Sequence, residues 1–451
     1  MKIEYGTARR CINPPMPISL AGYFNARMWD HVLDDLEVRA VVFKQREVYA
    51  AILHLDLATV PLYVYEMILD EVRKAGIAKL DRKNLTVCAI HTHTGPEIRR
   101  DKPGFNPDYL PFLAKLAAEA LREALDDLHE GELVHGMASD CRFLFNRRYW
   151  MKNGRVMTNP GKLNPEIVRP EGEIDPEIPL LGIAREGKLN VLFCNIVNHV
   201  DTVGGTGVSA DWNGFLRRQL ERELGPGSMV CPIIGASGNI NHFDVSSDRN
   251  QTCYAEAERI GTGYTETIRK ALSGLKPVAG GALKTVFGEA TVKPREISAE
   301  EIAEARAVVE KYADEKFDGI ADMTSEDLAK GVPAVLKYFA EMLLKQSERH
   351  EDVHLYLTGI AFGDAVVIAS LPSEPFVEIG LTLRKEIFGG RLCLVAALAN
   401  GLGSGHIPGG YIPNPWNYGR GGYEDTPRSS PFSKKTSAVV LDTWRELAKK
   451  L

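Results

Sequence analysis

The sequence lacks the features that define several protein classes. It has seven cysteines but no Cys-x-x-Cys pair, so neither a disulfide framework nor a thiolate zinc site is predicted. No segment has the ~20 consecutive apolar residues needed to cross a bilayer, and residues 1–5 lack the basic and apolar regions of a signal peptide. We therefore expect a cytoplasmic protein without a transmembrane segment.

Clusters of basic residues and flexible linkers are also missing. The net charge is only -6, and lysine and arginine are scattered along the chain, which argues against binding to nucleic acid or to an anionic membrane. No internal repeat and no Gly/Ser-rich or charged linker divides the 451 residues. With 44% hydrophobic residues, the chain can bury a large core, so we predict one domain spanning residues 1–451.

Strand and helix patterns alternate along the whole chain. The apolar runs that indicate strands are residues 38–57 (a hairpin around Gln45-Arg46-Glu47), 85–90, 191–197, 229–234, 353–360, 365–371 and 392–398. Helical patterns cover residues 113–128, 214–224, 325–346, 376–388, a segment after Ser298 and the C-terminus. Residues 149–179 look irregular and are a candidate wall of a cleft. This alternation predicts an α/β fold with mixed sheets flanked by helices.

Three histidines follow predicted strands. His91 and His93 come after residues 85–90, and an extended backbone there would turn both imidazoles to one face, as suits a metal ligand beside an acid/base group. Taken alone, the His-x-His pattern is a weak signal for a metal, and a hydrogen-bonded loop pair is the more common explanation of His91 and His93. His199 follows residues 191–197 and has Asp201 and Asp211 nearby to orient it, although a structural histidine fits that position too.

Other polar residues at strand ends also admit two interpretations. Ser237 lies in a turn of small residues that would present a nucleophile or an oxyanion-binding amide, but Asn239 breaks the G-x-S-x-G pattern and a plain turn is the alternative. Glu374 is either a metal ligand or a helix cap. The glycine-rich segment 401–428 could bring the hydroxyls of Tyr411 and Tyr423 into a pocket, or leave them at the surface.

Taken together, these motifs resemble the neutral/alkaline ceramidase family in order along nearly the whole chain. The resemblance begins with Gly6-Thr7-Ala8-Arg9 and is most specific at His91-Thr92-His93-Thr94-Gly95-Pro96, which is similar to the family's His-Thr-His-Ser-Gly-Pro segment. It implies a short, cytoplasmic-type member without the family's C-terminal immunoglobulin-like domain.

The resemblance also implies roles for particular residues. The implied Zn²⁺ ligands are His91, His199, Glu374 and Tyr411, and the implied catalytic residues are Ser237, His93, Arg147 and Tyr423. Ser237 corresponds to the family's proposed nucleophile, although Gly235-Ala236-Ser237-Gly238-Asn239 differs from the family's acidic, proline-containing segment.

The resulting hypothesis is a zinc-dependent hydrolase that cleaves a linear N-acyl amide, as ceramidases do. Attack would come from a zinc-activated water or from Ser237, with zinc, Tyr423 and Arg147 stabilising the oxyanion and His93 carrying the proton to the leaving amine. Two alternatives remain open from the sequence. The substrate could be a soluble, non-lipid amide or ester, or the chain could be a non-catalytic binding protein on the same scaffold.

Overall fold

Short strands and helices follow one another throughout the chain. The computed structural model describes residues 1–316, 323, 325–401 and 410–451. The strands are β1 (Lys2–Cys11), β2 (His31–Val32), β3 (Glu37–Gln45), β4 (Val48–Leu55), β5 (Leu85–Ala89), β6 (His129–Ser139), β7 (Phe145–Asn146), β8 (Arg148–Met151), β9 (Val156–Thr158), β10 (Ile167–Pro170), β11 (Glu177–Arg185), β12 (Lys188–Ile196), β13 (Gly207–Val208), β14 (Met229–Ile234), β15 (Ile240–Asn241), β16 (Lys276–Pro277), β17 (Leu283–Val292), β18 (Val353–Phe362), β19 (Val366–Ser370), β20 (Glu374–Pro375), β21 (Leu392–Ala396) and β22 (Tyr411–Ile412). The helices are α1 (Leu62–Lys74), α2 (Tyr109–Asp126), α3 (Asp211–Leu224), α4 (Tyr254–Leu272), α5 (Ala299–Lys311), α6 (Ser325–Lys330), α7 (Pro333–Ser347), α8 (Val377–Thr382) and α9 (Thr436–Ala448).

Two mixed sheets form the centre of the molecule. The larger sheet has the order β14-β12-β11-β6-β1-β3-β4-β5, and the smaller has the order β17-β18-β19-β21. Helices α1 to α4 cover the outer face of the large sheet, and α8 and α9 cover the outer face of the small sheet. The inner faces of the two sheets pack on each other, so the layers run helix, sheet, sheet, helix.

The alternation of side chains along a strand explains these layers. In β4, Leu53 and Leu55 contact the helical layer, while Ile52 points between the two sheets. Phe43 of β3 meets Phe362 of β18 across the sheets, with ring centroids 5.0 Å apart. Because both faces of the central strands are buried, the strands appear in the sequence as continuous apolar runs instead of alternating patterns.

The structure confirms the predicted α/β class with mixed sheets and flanking helices. The hairpin predicted at residues 38–57 is the antiparallel pair β3 and β4, and residues 229–234 coincide with β14. Helix α5 begins with the expected capping box, in which Ser298 and Glu301 each accept a hydrogen bond from the other's main-chain N–H. The assignment of residues 1–451 to one domain stays a prediction.

Three predicted segments differ from the structure. Residues 325–346 form two helices, α6 and α7, because Gly331 has a φ of 72° and Pro333 begins the second helix. Residues 149–179 are not wholly irregular, since β8, β9 and β10 pair as a small antiparallel sheet. The helix predicted over residues 376–388 is α8 followed by a π-helical turn, Leu383–Ile387.

The predictions about transmembrane segments and about cysteines can be compared with the structure. Within the described residues, no helix is both long and apolar enough to cross a membrane. All seven cysteines are free thiols, including Cys88, Cys194, Cys231 and Cys393, which are buried.

Candidate active site

The ends of strands that are distant in the sequence meet at one place. His91 follows β5 and His199 follows β12, and the residues after each histidine, Thr92 and Val200, form a parallel β-bridge. The main-chain N–H of His93 also donates to the carbonyl oxygen of Val200, 3.1 Å away. These contacts bring the three predicted histidines together, although β5 and β12 are not neighbours in the sheet.

The three imidazoles converge through their Nε2 atoms. The Nε2 atom of His91 is 3.0 Å from that of His199 and 3.4 Å from that of His93. The predicted extended backbone is wrong, because His91 has a φ of 70°. Convergence depends on this left-handed residue, a strained conformation that often marks functional sites. Together His91, His93 and His199 form a group that could hold a metal ion.

In two of these rings, the Nδ1 atom donates a hydrogen bond to a main-chain carbonyl group. The Nδ1 atom of His91 donates to the carbonyl oxygen of Ala58 at 2.6 Å, and that of His199 donates to the carbonyl oxygen of Ser237 at 3.1 Å. This arrangement leaves a lone pair on each Nε2 atom when the imidazoles are neutral. Two lone pairs facing each other at 3.0 Å repel, unless a cation or a proton lies between them.

Glu374 supplies a carboxylate at the same point. Its Oε2 atom lies 3.3 Å from Nε2 of His91 and 3.5 Å from Nε2 of His199, and it is buried without a well-formed hydrogen bond in the described part of the chain. Burial works to raise the pKa of Glu374, but His91, His199 and Arg147 hold it well below its usual range. The same carboxylate raises the pKa of His91 against the effect of burial.

Tyr411 is positioned beside Glu374 by a short parallel pairing. In the pairing of β20 with β22, Glu374 and Tyr411 are register partners, so their side chains lie on the same face. Burial raises the pKa of Tyr411 well above its usual range, although the Arg147 guanidinium opposes this shift. Within the predicted loop 401–428, Gly403, Gly405 and Gly409 lie outside the described residues.

Arg147 is buried at the centre of a polar network. Its Nη1 atom donates to Nε2 of His199 at 3.2 Å, and its Nη2 atom donates to the carbonyl oxygen of Gly238 at 2.8 Å. Its Nε atom lies 2.8 Å from the fully buried Glu424, a residue that the sequence reasoning missed. Glu424 also pairs with Arg148, so it stabilises two buried arginines, and only the three-dimensional structure reveals that role.

His93 occupies the cavity side of the cluster. Burial and the neighbouring His91 lower the pKa of His93 to about 3, so this imidazole is neutral at neutral pH. Asp201 is close enough to affect His93 and His199 electrostatically, and it accepts a hydrogen bond from His242 at 3.1 Å. Asp211, the other carboxylate considered near His199, instead accepts main-chain N–H groups from Thr202 and Val203.

A cavity opens in front of these residues and is lined by His91, His93, Glu374, Tyr411, Tyr423 and Arg428, among others. The Tyr423 ring lies 5.8 Å from the Tyr411 ring. The hydroxyl oxygen of Tyr423 accepts a hydrogen bond from Nη1 of Arg428 at 2.8 Å. In the described part of the chain its own O–H has no acceptor, so it can donate to a bound molecule.

The small-residue turn around Ser237 supports the site through its main chain. The Ser237 carbonyl holds His199, the Gly238 carbonyl holds Arg147, and the Gly238 N–H donates to the carbonyl oxygen of Pro375 at 2.9 Å. A Cβ atom on Gly238 would lie 2.4 Å from the carbonyl oxygen of Glu374. Ser237 is not among the described residues that line the cavity.

Structural comparison identifies the fold as neutral ceramidase-like. The crystal structure of neutral ceramidase from Pseudomonas aeruginosa matches with a TM-score of 0.74 and 16% sequence identity, over 99% of this chain and 74% of that chain. A structure of ceramidase complexed with C2 matches with a TM-score of 0.73 and 15% identity, over 99% of this chain and 75% of that one. No family model and no curated protein matches the sequence. The resemblance predicted from the motifs is thereby confirmed at the level of the fold.

Proposed function

We propose that this protein is a zinc-dependent hydrolase that cleaves a linear N-acyl amide. The observation that carries the proposal is the convergence of the Nε2 atoms of His91 and His199 and of Oε2 of Glu374, with separations of 3.0–3.5 Å. The likeness to neutral ceramidase supports an amide as the bond that is cleaved. A soluble N-acyl or ester substrate remains the second candidate.

The donor atoms fit a zinc ion. Ligands about 2.0–2.1 Å from a tetrahedral zinc are about 3.3–3.4 Å from one another, which is close to the separations in this cluster. Imidazole nitrogens with a carboxylate and a phenol oxygen suit zinc better than calcium or magnesium, which prefer oxygen ligands. In this proposal His91, His199, Glu374 and Tyr411 hold the ion. Arg147 would then give up its hydrogen bond to His199 Nε2, because that lone pair binds the metal.

Bound zinc would polarise the amide carbonyl and lower the pKa of a water molecule. His93, which lines the cavity beside the proposed ligands, accepts a proton from the attacking water and delivers it to the leaving nitrogen. The water oxygen bonds to the acyl carbon, the C–N bond breaks, and the products are a carboxylic acid and an amine. The Tyr423 hydroxyl, oriented by Arg428, donates to the developing oxyanion, and the Arg147 charge stabilises it.

We assign the attack to water instead of Ser237. Ser237 contacts the site through its carbonyl oxygen and does not line the described part of the cavity. A Ser237→Ala variant should therefore keep kcat within about threefold of wild type, whereas loss of a nucleophile typically costs several orders of magnitude. Steady-state assays on a short-chain N-acyl amide distinguish the two mechanisms, and a loss of 10³-fold or more would identify Ser237 as the nucleophile.

Zinc content tests the metal assignment directly. Crystals of untreated protein, measured on both sides of the zinc absorption edge, should show an anomalous peak about 2.0–2.2 Å from the proposed ligand atoms. The His91→Ala and Glu374→Ala variants should lose both zinc and turnover. His129 is exposed and pairs with Asp127, so the His129→Ala control should retain both. Full zinc content and activity in His91→Ala would overturn the assignment.

A further inference from the structure

The cavity in front of the histidines has an unusually polar wall. The described residues that line it include two arginines, Arg99 and Arg428, and the tyrosines Tyr411 and Tyr423. None of the described lining residues is Leu, Ile, Val, Met, Phe or Trp. Pockets that bind apolar ligands are lined mainly by such side chains, so this part of the cavity is built for a polar group.

The side chains of Arg428 and Lys102 both lie against one aromatic ring, that of Phe24. The Arg428 guanidinium lies 4.6 Å from the centre of the Phe24 ring, and the Lys102 ammonium lies 5.5 Å from it. Arg428 also donates a hydrogen bond to the hydroxyl of Tyr423, and the Tyr423 ring lies 5.8 Å from the Tyr411 ring. Arg428, which lines the cavity, therefore lies within reach of a substrate bound at the histidines, and Lys102 lies against the same ring as Arg428.

These two charges are not neutralised by the described residues. Arg99 is paired with Glu97, but neither Arg428 nor Lys102 forms an ion pair with a carboxylate in the described part of the chain, and the Arg428 side chain donates to phenol oxygens. Burial, with Arg428 and Arg99 nearby, lowers the pKa of Lys102 to about 7. Concentrated positive charge beside a cavity is costly unless an anion binds there.

We propose that the substrate carries an anionic group, a carboxylate or a phosphate, near its scissile amide, and that Arg428 and Lys102 bind this group. The guanidinium fork offers paired N–H donors to a carboxylate or phosphate, and the lysine adds a point charge. This inference rests on the proposed amide hydrolysis and narrows its substrate to acidic N-acyl compounds, such as N-acyl amino acids.

Matched amides that differ only in charge test the proposal. We would measure kcat/KM of the zinc-loaded protein for N-hexanoylglycine against N-hexanoylglycinamide, and for N-hexanoyl-phosphoethanolamine against N-hexanoylethanolamine. The acidic member of at least one pair should be preferred roughly 10-fold or more, and the preferred pair identifies carboxylate or phosphate. Equal kcat/KM values within both pairs would overturn the proposal.

Substitutions test which residues cause the preference for acidic over neutral amides. Arg428→Met and Lys102→Met should each reduce the ratio of acidic to neutral kcat/KM towards one, and the second variant covers the case in which the first fails to fold. Arg100 is an exposed neighbour whose guanidinium lies over Tyr63, 4.1 Å from the ring centre. The Arg100→Met control should keep the wild-type ratio, and an unchanged ratio in both test variants would contradict the assignment.

Binding measurements separate this proposal from the proposed hydrolysis. Calorimetric titration of the same four amides reports the charge preference whether or not they are cleaved. Tight binding of an acidic amide without turnover would reject the hydrolase and retain the anion site. Turnover without any preference for the acidic amides would reject the anion site and retain the hydrolase.

Discussion

At the scale of single residues, the site depends on backbone conformations that few residues adopt. His91 has a φ of 70° and Ser373, directly before Glu374, has a φ of 60°. Each such residue costs about 1–3 kcal/mol, and the surrounding hydrogen bonds have to hold it in place. The His91 N–H donates to the carbonyl oxygen of Leu57 at 2.9 Å, and the Ser373 carbonyl accepts from the Leu398 N–H at 3.1 Å.

The buried Asp211 predicts a dependence of stability on pH. Burial raises its pKa to about 6, so the folded state holds the proton more tightly than the unfolded state does. The resulting stabilisation is fully present below the unfolded pKa, near 3.9, and is lost as the pH rises through about 6. Between pH 5 and pH 8, wild type should lose about 1 kcal/mol of unfolding free energy relative to Asp211→Asn.

Urea unfolding of both proteins at the two pH values measures this difference. Asp248 is exposed, so an Asp248→Asn control should follow wild type at both pH values. A difference between wild type and Asp211→Asn that does not change with pH would show that Asp211 keeps the same charge in the folded and unfolded states.

At the scale of elements, the turn between β14 and β15 supports the residues of the proposed metal site. Its carbonyl groups orient His199 and Arg147, and its Gly238 packs directly on the main chain of Glu374. In the sequence, this turn stands out because the hydroxyl of Ser237 is a candidate nucleophile. In the structure, the turn acts through its main-chain carbonyl groups and through the close approach that Gly238 allows because it has no side chain. The pattern of residues in the sequence does not reveal either kind of contact.

Gly238→Ala should therefore disturb the site without unfolding the protein. The new Cβ would meet the Glu374 carbonyl at 2.4 Å, and main-chain atoms cannot move aside easily. We expect zinc affinity to fall about 10- to 100-fold, as for other changes in groups that support ligands, with an unchanged circular dichroism spectrum. Competition with a chelator of known affinity measures the change.

The matched control is Gly280→Ala, because a Cβ there would have no neighbour within 4 Å. This variant should bind zinc as wild type does. Wild-type affinity in Gly238→Ala as well would mean that the turn adjusts without moving Glu374.

At the scale of the whole molecule, the two stacked sheets bring together residues that lie far apart in the chain. Phe43, Phe193 and Phe362 form an aromatic cluster between the sheets. Outside this interface, the loops after β5 and β12 carry the three histidines, and the segment after β19 carries Glu374. The relative position of the two sheets therefore determines whether the proposed ligands meet.

Replacing Phe43 by Ala should weaken the contact between the sheets. The side chain is fully buried, and such a truncation typically costs about 3–5 kcal/mol of unfolding free energy, measurable by urea unfolding. The half-exposed Val48 at the tip of the same hairpin offers a control, and Val48→Ala should change stability by less than about 1 kcal/mol. A similar small effect of Phe43→Ala would show that the sheets are held together elsewhere.

The sequence by itself determined the fold class and most of the elements. Buried strands produce apolar runs, helices repeat their apolar positions, and caps such as Ser298 with Glu301 mark helix starts, because these signals depend on neighbouring residues. The motifs also selected His91, His93, His199, Glu374, Arg147, Tyr411 and Tyr423, residues that the structure brings to one site. Their roles, and that of Ser237, remain predictions.

Only the tertiary structure decided how these residues face one another. The left-handed His91, the carbonyl groups that hold the Nδ1 atoms of His91 and His199, and the buried Glu424 all depend on contacts between distant segments. The basic pair of Arg428 and Lys102 is separated by more than 300 residues of sequence, so no local pattern could indicate it. Residues far apart in the sequence interact electrostatically only when packing brings them close together. In this protein, that packing also forms the cavity.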